Sequence, residues 1–222
     1  MIKEITVAGT KLNSYTTLEN LTRIGNNLDN NVFTGIEEVY MRTLLMAKED
    51  KVVKEALESM DVTIVAENEI LDAVGENTIL RRHEIERREF FFQLMRILER
   101  NGYTVYILGD EVKEVEETCQ YLTDEFSRLK LVGAKALEEN QGSEEGVVND
   151  INMIAPDVII SILPSPMQEG FFVEHKSKFS ARIWYGAGYH KITGGKHTLG
   201  AKLVKKFREM KLKNIIERDE ES

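Results

Sequence analysis

Short apolar runs alternate along the chain with longer stretches whose apolar positions recur every three or four residues. The runs Ile5–Ala8, Asp61–Ala66, Tyr103–Leu108, Lys130–Gly133, Val158–Leu163 and Arg182–Tyr185 predict strands. Between them, "TTLENLTRIGNNL", "MRTLLMAKEDKVVKEALESM", "ILRRHEIERREFFFQLMRILERNG", "EVKEVEETCQYLTDEFSRL" and "SEEGVVNDINMI" have the helical period. Gly102 stands where the third helix needs a C-terminal glycine. Strands alternating with helices imply right-handed crossovers, hence an α/β fold. The expected architecture is a Rossmann-like parallel sheet with helices on both faces. With no internal repeat or long linker, residues 1–197 read as one domain and 198–222 as a charged tail with a short basic helix.

In such a sheet, ligands sit beyond the carboxyl ends of the strands, so the strand exits are where chemistry is expected. Two exits are unusual. The apolar strand in "APDVIISILPSPMQEGFF" stops at Pro164 and Pro166, which withdraw two amide donors and fix the backbone. Gln168 and Glu169 follow at once. A Gln amide both donates and accepts, which suits a sugar hydroxyl or a uracil edge, and a Glu accepts from a hydroxyl or acts as a base. The competing reading is a strand terminator followed by an ordinary helix start.

The second exit, "YGAGYHKITGGK", carries Gly186, Gly188, Gly194 and Gly195 with Lys191, Lys196, His190 and His197. Glycines permit close approach of backbone to a ligand, and the cations suit a diphosphate. A tight connection with solvated basic side chains explains the same residues, since no phosphate-loop or dinucleotide consensus is present. In "LRRHEIERREFFF", opposite charges three and four residues apart predict a solvated helix face, from which one arginine, Arg82, is a candidate to reach a cleft.

Composition narrows the choice. The net charge of -9 argues against general nucleic-acid binding. Cys119 is the single cysteine, so no intramolecular disulfide forms, and no Cys/His cluster has zinc-ligand spacing. No secretory signal opens the chain, and no apolar run approaches the roughly 20 residues of a membrane span. A cytoplasmic protein is expected. The segment "KLVKKFREMKLKNII" has six basic residues from Lys202 to Lys213 against Glu209 alone, and its Leu203, Phe207 and Met210 recur at helical spacing. Such a helix suits an anionic membrane surface or a packing face on the domain or a partner.

Taken together, "LNSYTTLENLTRI", "AKEDKVVKEALESMDVTIV", "NGYTVYILGDEVKEVEETCQYL", "APDVIISILPSPMQEGFF" and "ARIWYGAGYHKITGGK" resemble the WecG/TagA/CpsF family of bacterial glycosyltransferases. The most specific match is Pro166-Met167-Gln168-Glu169 after an apolar strand. The resemblance implies transfer of an N-acetylhexosamine-type sugar from a UDP donor to an undecaprenyl-diphosphate-linked acceptor in cell-surface polysaccharide assembly. It implies no metal or other cofactor, and a C-terminal segment that aids contact with the inner face of the cell membrane. Gln168, Glu169, Gly186, Gly188, Lys191 and Arg82 would then bind substrate. The family's catalytic Asp-Gly is replaced here by Ala66 and Glu67, which makes Glu67 the candidate base. Its Thr-x-Asn pattern is also replaced, with Tyr40 near the Asn position. A catalytically inactive paralogue that binds a sugar nucleotide or partners an active transferase is therefore the alternative. Assembly as a homo- or hetero-oligomer is left open.

Overall fold

A computed structural model describes residues 3–139, 143–187, 192 and 199–220, with only the helix course for 199–203 and 220. Its centre is a six-stranded, all-parallel sheet: β3 (Thr34–Val39), β4 (Val62–Val65), β5 (Thr104–Gly109), β6 (Lys130–Ala136), β7 (Val158–Ser161) and β8 (Ile183–Gly186). The order is β4-β3-β8-β7-β5-β6. The chain runs from β3 to one edge and from β5 to the other, and β7 and β8 then fill the middle. The exits of β3, β8 and β7 thus meet where the crossovers diverge, the usual place for a ligand crevice.

The expected Ile5–Ala8 strand lies outside this sheet. β1 (Glu4–Val7) pairs antiparallel with β2 (Thr10–Asn13). This hairpin lies against β4, where the Asn13 amide donates to Thr63 Oγ1 at 2.7 Å.

Side chains alternate across the sheet as a doubly covered strand requires. Val105, Ile107, Val158, Ile160, Ile183 and Tyr185 face α1 (Thr17–Asp29), α6 (Glu89–Asn101) and α7 (Val112–Glu125), which contribute Ile24, Phe91, Leu94 and Leu122. Tyr106, Leu108, Ile159 and Trp184 face α8 (Glu144–Ile154) and α9 (Met167–His175), with Val147, Ile151, Phe171 and Phe172.

Two predicted helices are each broken in two. Asp50 accepts from Val52 and Val53, capping α3 (Lys51–Ser59) and separating it from α2 (Met41–Ala47). Arg88, at φ +49°, separates α5 (Ile79–Glu86) from α6, and α4 (Asn68–Ala73) precedes both. Gly102 ends α6 in the left-handed conformation at φ +69°. The solvated-face expectation for α5 holds only in part. Glu84 is buried, accepting from the Thr17 amide at 2.9 Å and from Arg81 at 3.0 Å. Cys119 is half-buried on α7.

The tail is one helix, α10 (Leu199–Glu220), laid against α2 and α4. Leu212 and Ile216 enter a core with Met41, Leu44, Ile70 and Leu71. Phe207 and Met210 point outward, 69% and 58% exposed. Leu212→Ala is therefore expected to destabilise the fold by about 2–5 kcal/mol. Phe207→Ala should stay within roughly ±0.5 kcal/mol. Equal urea midpoints for the two variants would contradict this docking.

Candidate active site

Glu37 and Glu38 are adjacent residues of β3, so they point to opposite faces of the sheet, and both are buried. On the α1/α6 face, Glu38 accepts from the Tyr40 hydroxyl at 2.6 Å and from the Tyr185 hydroxyl. Burial, followed by the Glu38 charge, holds both phenols well above their ordinary value, so each keeps its proton and donates it.

On the α9 face, Glu37 lies in register with Gly186 of β8. Gln168 Nε2 donates to Glu37 Oε1 across the space a side chain at 186 would fill. A Cβ on Gly186 would stand 2.7 Å from Gln168 Nε2 and 2.8 Å from Glu37 Cδ. Gly186 is thus required by close packing of side chains, not by its backbone conformation.

β7 ends at Ser161, short of the expected Leu163 and three residues before Pro164, although the Ile162 amide still donates to the Leu108 carbonyl at 2.8 Å, and α9 begins at Met167 with Pro166 as its N-cap. Gln168 and Glu169 occupy the first turn of α9, and both are fully buried. Ser165 Oγ donates to Glu169 Oε1 at 2.6 Å. The far oxygens of both carboxyls, Glu37 Oε2 and Glu169 Oε2, are buried and have no hydrogen-bond partner among the described residues.

Burial, then the charge of Glu169, pushes the Glu37 carboxyl well above its ordinary 4.5, against the Gln168 hydrogen bond. Burial likewise raises Glu169, opposed by the Ser165 bond. The folded state therefore holds protons that the unfolded chain releases above about pH 4.5. The stability this contributes is complete below that pH and is lost as pH rises through the folded values. Glu37→Gln keeps an acceptor for Gln168 and removes the titration. The fall in urea midpoint between about pH 5 and pH 8 should be smaller in this variant than in wild type. An unchanged pH dependence would remove Glu37 from the account.

Glu67 follows β4 and is the N-cap of α4. Its Oε2 accepts from the Met41 amide at 2.6 Å, capping α2, whose own N-cap Tyr40 makes no side-chain cap bond. Burial raises the Glu67 carboxyl above 4.5, offset first by the Met41 bond and then by Lys205, and also by Arg208, both of α10. Lys205 is paired with Glu69 at 2.8 Å.

The sequence candidates thus divide. Gln168, Glu169 and Gly186 come together, with Glu67 at the exit of a strand of the same edge. Arg82 forms an exposed ion pair with Asp72 at 3.1 Å. Gly188 and Lys191 lie outside the described residues, as do Gly194, Gly195, Lys196, His190 and His197. Glu37 and Glu38 were missed, because two acids in "TGIEEV" break any apolar strand pattern. The signal present was the Gly, Ile and Val around them.

Fold and site together define a Rossmann-like α/β protein with buried carboxylates and a glutamine gathered at the carboxyl edge of its sheet. The chain belongs to the glycosyl transferase WecG/TagA/CpsF family, whose model matches residues 5–195 of its 222. The family implies a sugar-nucleotide donor and an acceptor. No curated protein matches the chain. Among the described residues, no helix is long and apolar enough to cross a membrane.

Proposed function

We propose that the protein transfers an N-acetylhexosamine-type sugar from a UDP donor to a lipid-diphosphate-linked acceptor used in cell-surface polysaccharide assembly. The observation that carries this reading is the pair of buried carboxyl oxygens, Glu37 Oε2 and Glu169 Oε2, that have no partner among the described residues, beside Gly186 at the middle of the sheet's carboxyl edge. Leaving such an oxygen unmatched costs about 1–3 kcal/mol, and a sugar or ribose hydroxyl, which can donate to a carboxylate or accept from a carboxylic acid, offsets that cost. Gln168 and Glu169 would bind the donor, exchanging the internal partners they now hold. Gly188 and Lys191, placed on sequence grounds alone, would meet its diphosphate, and Arg82 would join them on leaving Asp72.

In the reaction, an acceptor hydroxyl oxygen attacks the anomeric carbon of the donor. Its proton passes to Glu67 as the bond from that carbon to the UDP oxygen breaks, and UDP departs. The raised Glu67 carboxyl is a stronger base than an ordinary one, which suits this step. Among the described groups, Lys205 and Arg208 bring positive charge towards it.

A second reading, that of a non-catalytic sugar-nucleotide binder, is favoured by a specific observation: Glu67 already caps α2 through Met41. Calorimetric titration with UDP-N-acetylhexosamines, followed by a transfer assay on a lipid-diphosphate acceptor, separates the two. Binding with turnover supports the transferase, and binding without turnover supports the second reading. No binding counts against both.

A lipid-linked acceptor requires approach to the membrane. On this reading the contact falls on the outer face of α10, where Val204, Phe207 and Met210 are exposed. Several of its lysines are tied to acids: Lys205 to Glu69, Lys211 to Glu49 and Lys213 to Glu209. Salt dependence should accordingly be weaker than the six basic residues suggest. Phe207→Glu leaves Leu212 and Ile216 in the core, unlike truncation of the helix. It should reduce sedimentation with anionic vesicles, and equal sedimentation counts against this face.

A further inference from the structure

The far end of α9 carries a second polar group, about 10 Å along the helix from Gln168 and Glu169 at 1.5 Å per residue. His175 is the last residue of α9 and its side chain is fully buried, edge-on to Phe171 with ring centroids 4.6 Å apart. Its Nε2 lies 3.0 Å from Oε2 of Glu144, the first residue of α8. Glu174 adds its carboxylate, and one ligand atom from each of the three residues lies within 4.8 Å of the others. Glu144 and Glu174 are exposed, so the group opens to solvent on one side and is walled by the core on the other.

We propose that Glu144, Glu174 and His175 bind a divalent transition metal, with Zn2+ the best fit, fastening the start of α8 to the end of α9. Four-coordinate zinc with bonds of roughly 2.0–2.2 Å sets its ligand atoms about 3.3–3.6 Å apart. The His175–Glu144 separation is already close to that spacing, and Glu174 completes it by a rotamer adjustment at the surface. One imidazole nitrogen with two carboxylates suits zinc better than calcium or magnesium, which take oxygen ligands throughout. Two carboxylates also match the charge of the ion, and water completes the tetrahedron.

Lys178 sets the terms of binding. Its Nζ lies 3.5 Å from His175 Nδ1 and 3.1 Å from Glu145 Oε1. A metal on Nε2 leaves the ring proton on Nδ1, where it faces the ammonium. The lysine must then withdraw fully to Glu145. Lys178→Gln removes that opposition and should tighten binding.

The test is calorimetric titration of the full chain with Zn2+, together with thermal melting and the visible spectrum of the Co2+ form. Wild type should bind one Zn2+ at this site, melt at a higher temperature with metal, and return to the metal-free value on chelation. Co2+ should give tetrahedral absorption. Glu174→Gln and Glu144→Gln, both at exposed positions, should each bind at least about tenfold more weakly. Zn2+ bound to both variants as tightly as to wild type would place the metal elsewhere and overturn the proposal. So would the absence of any melting shift in wild type.

Discussion

Glu67→Gln is expected to lower the rate of sugar transfer by about two to four orders of magnitude while donor affinity changes little. The substitution suits the question because Glu67 has an observed structural task beside the proposed catalytic one. It caps α2 through the Met41 amide, and a glutamine carbonyl still accepts that bond. Glu67→Ala would lose cap and base together, and the cap alone is worth about 0.5–2 kcal/mol. Only the glutamine variant separates the two. In the proposed mechanism the same carboxyl would set the acid side of the pH profile. A base must be ionised to work, and burial raises Glu67 above its ordinary 4.5. Turnover should therefore rise with pH through a midpoint above that value, and the glutamine variant should lose this limb. Normal turnover in Glu67→Gln would move the base elsewhere.

Gly186→Ala should disable the site by a different route. The new methyl group would sit 2.7 Å from Gln168 Nε2 and 2.8 Å from Glu37 Cδ. Both side chains are buried and bonded to each other, so neither can swing aside into solvent. Overpacking of this kind costs about 1–3 kcal/mol, and the displaced Gln168 should lose donor binding as well. Because the clash is with named atoms, it should depend on them. Placing Gly186→Ala in a Glu37→Ala background should recover much of the lost stability, a coupling that a double-mutant cycle measures. Additive losses would mean that the glycine serves another purpose.

Much of the sheet was legible because its inner strands are buried on both faces and so read as apolar runs, as at 158–160 in β7 and 105–108 in β5. β3 was not, although it is the strand next to β8 that contributes most to the site. Its two glutamates are stabilised by Gln168 and Tyr185, contributed by distant parts of the chain, and by Tyr40, which directly follows the strand. Nothing local in "TGIEEV" announces them. The helix breaks at Asp50 and Arg88 were hidden for the opposite reason. Apolar periodicity runs on through both, and only a cap in one case and a left-handed residue in the other interrupts the backbone. Gln168 and Glu169 were legible as candidates from the proline-bounded strand exit. Their complete burial was not, since it depends on the packing of α9 against the rest of the chain.

The tail shows how one pattern supports two outcomes. Its apolar positions divide between a core face, Leu212 and Ile216, and an outer face, Val204, Phe207 and Met210. Sequence spacing gives both stripes, and packing against α2 and α4 decides which one is covered.

The proposed function requires a nucleotide-sugar crevice at the exits of β3, β8 and β7. Amide signals of the isotope-labelled protein, followed during titration with UDP, test that claim most directly. The signals of Gln168, Glu169 and Gly186 should shift together and saturably, with those of Glu144, Glu174 and His175 unmoved. Saturating UDP that leaves Gln168, Glu169 and Gly186 unshifted would contradict it.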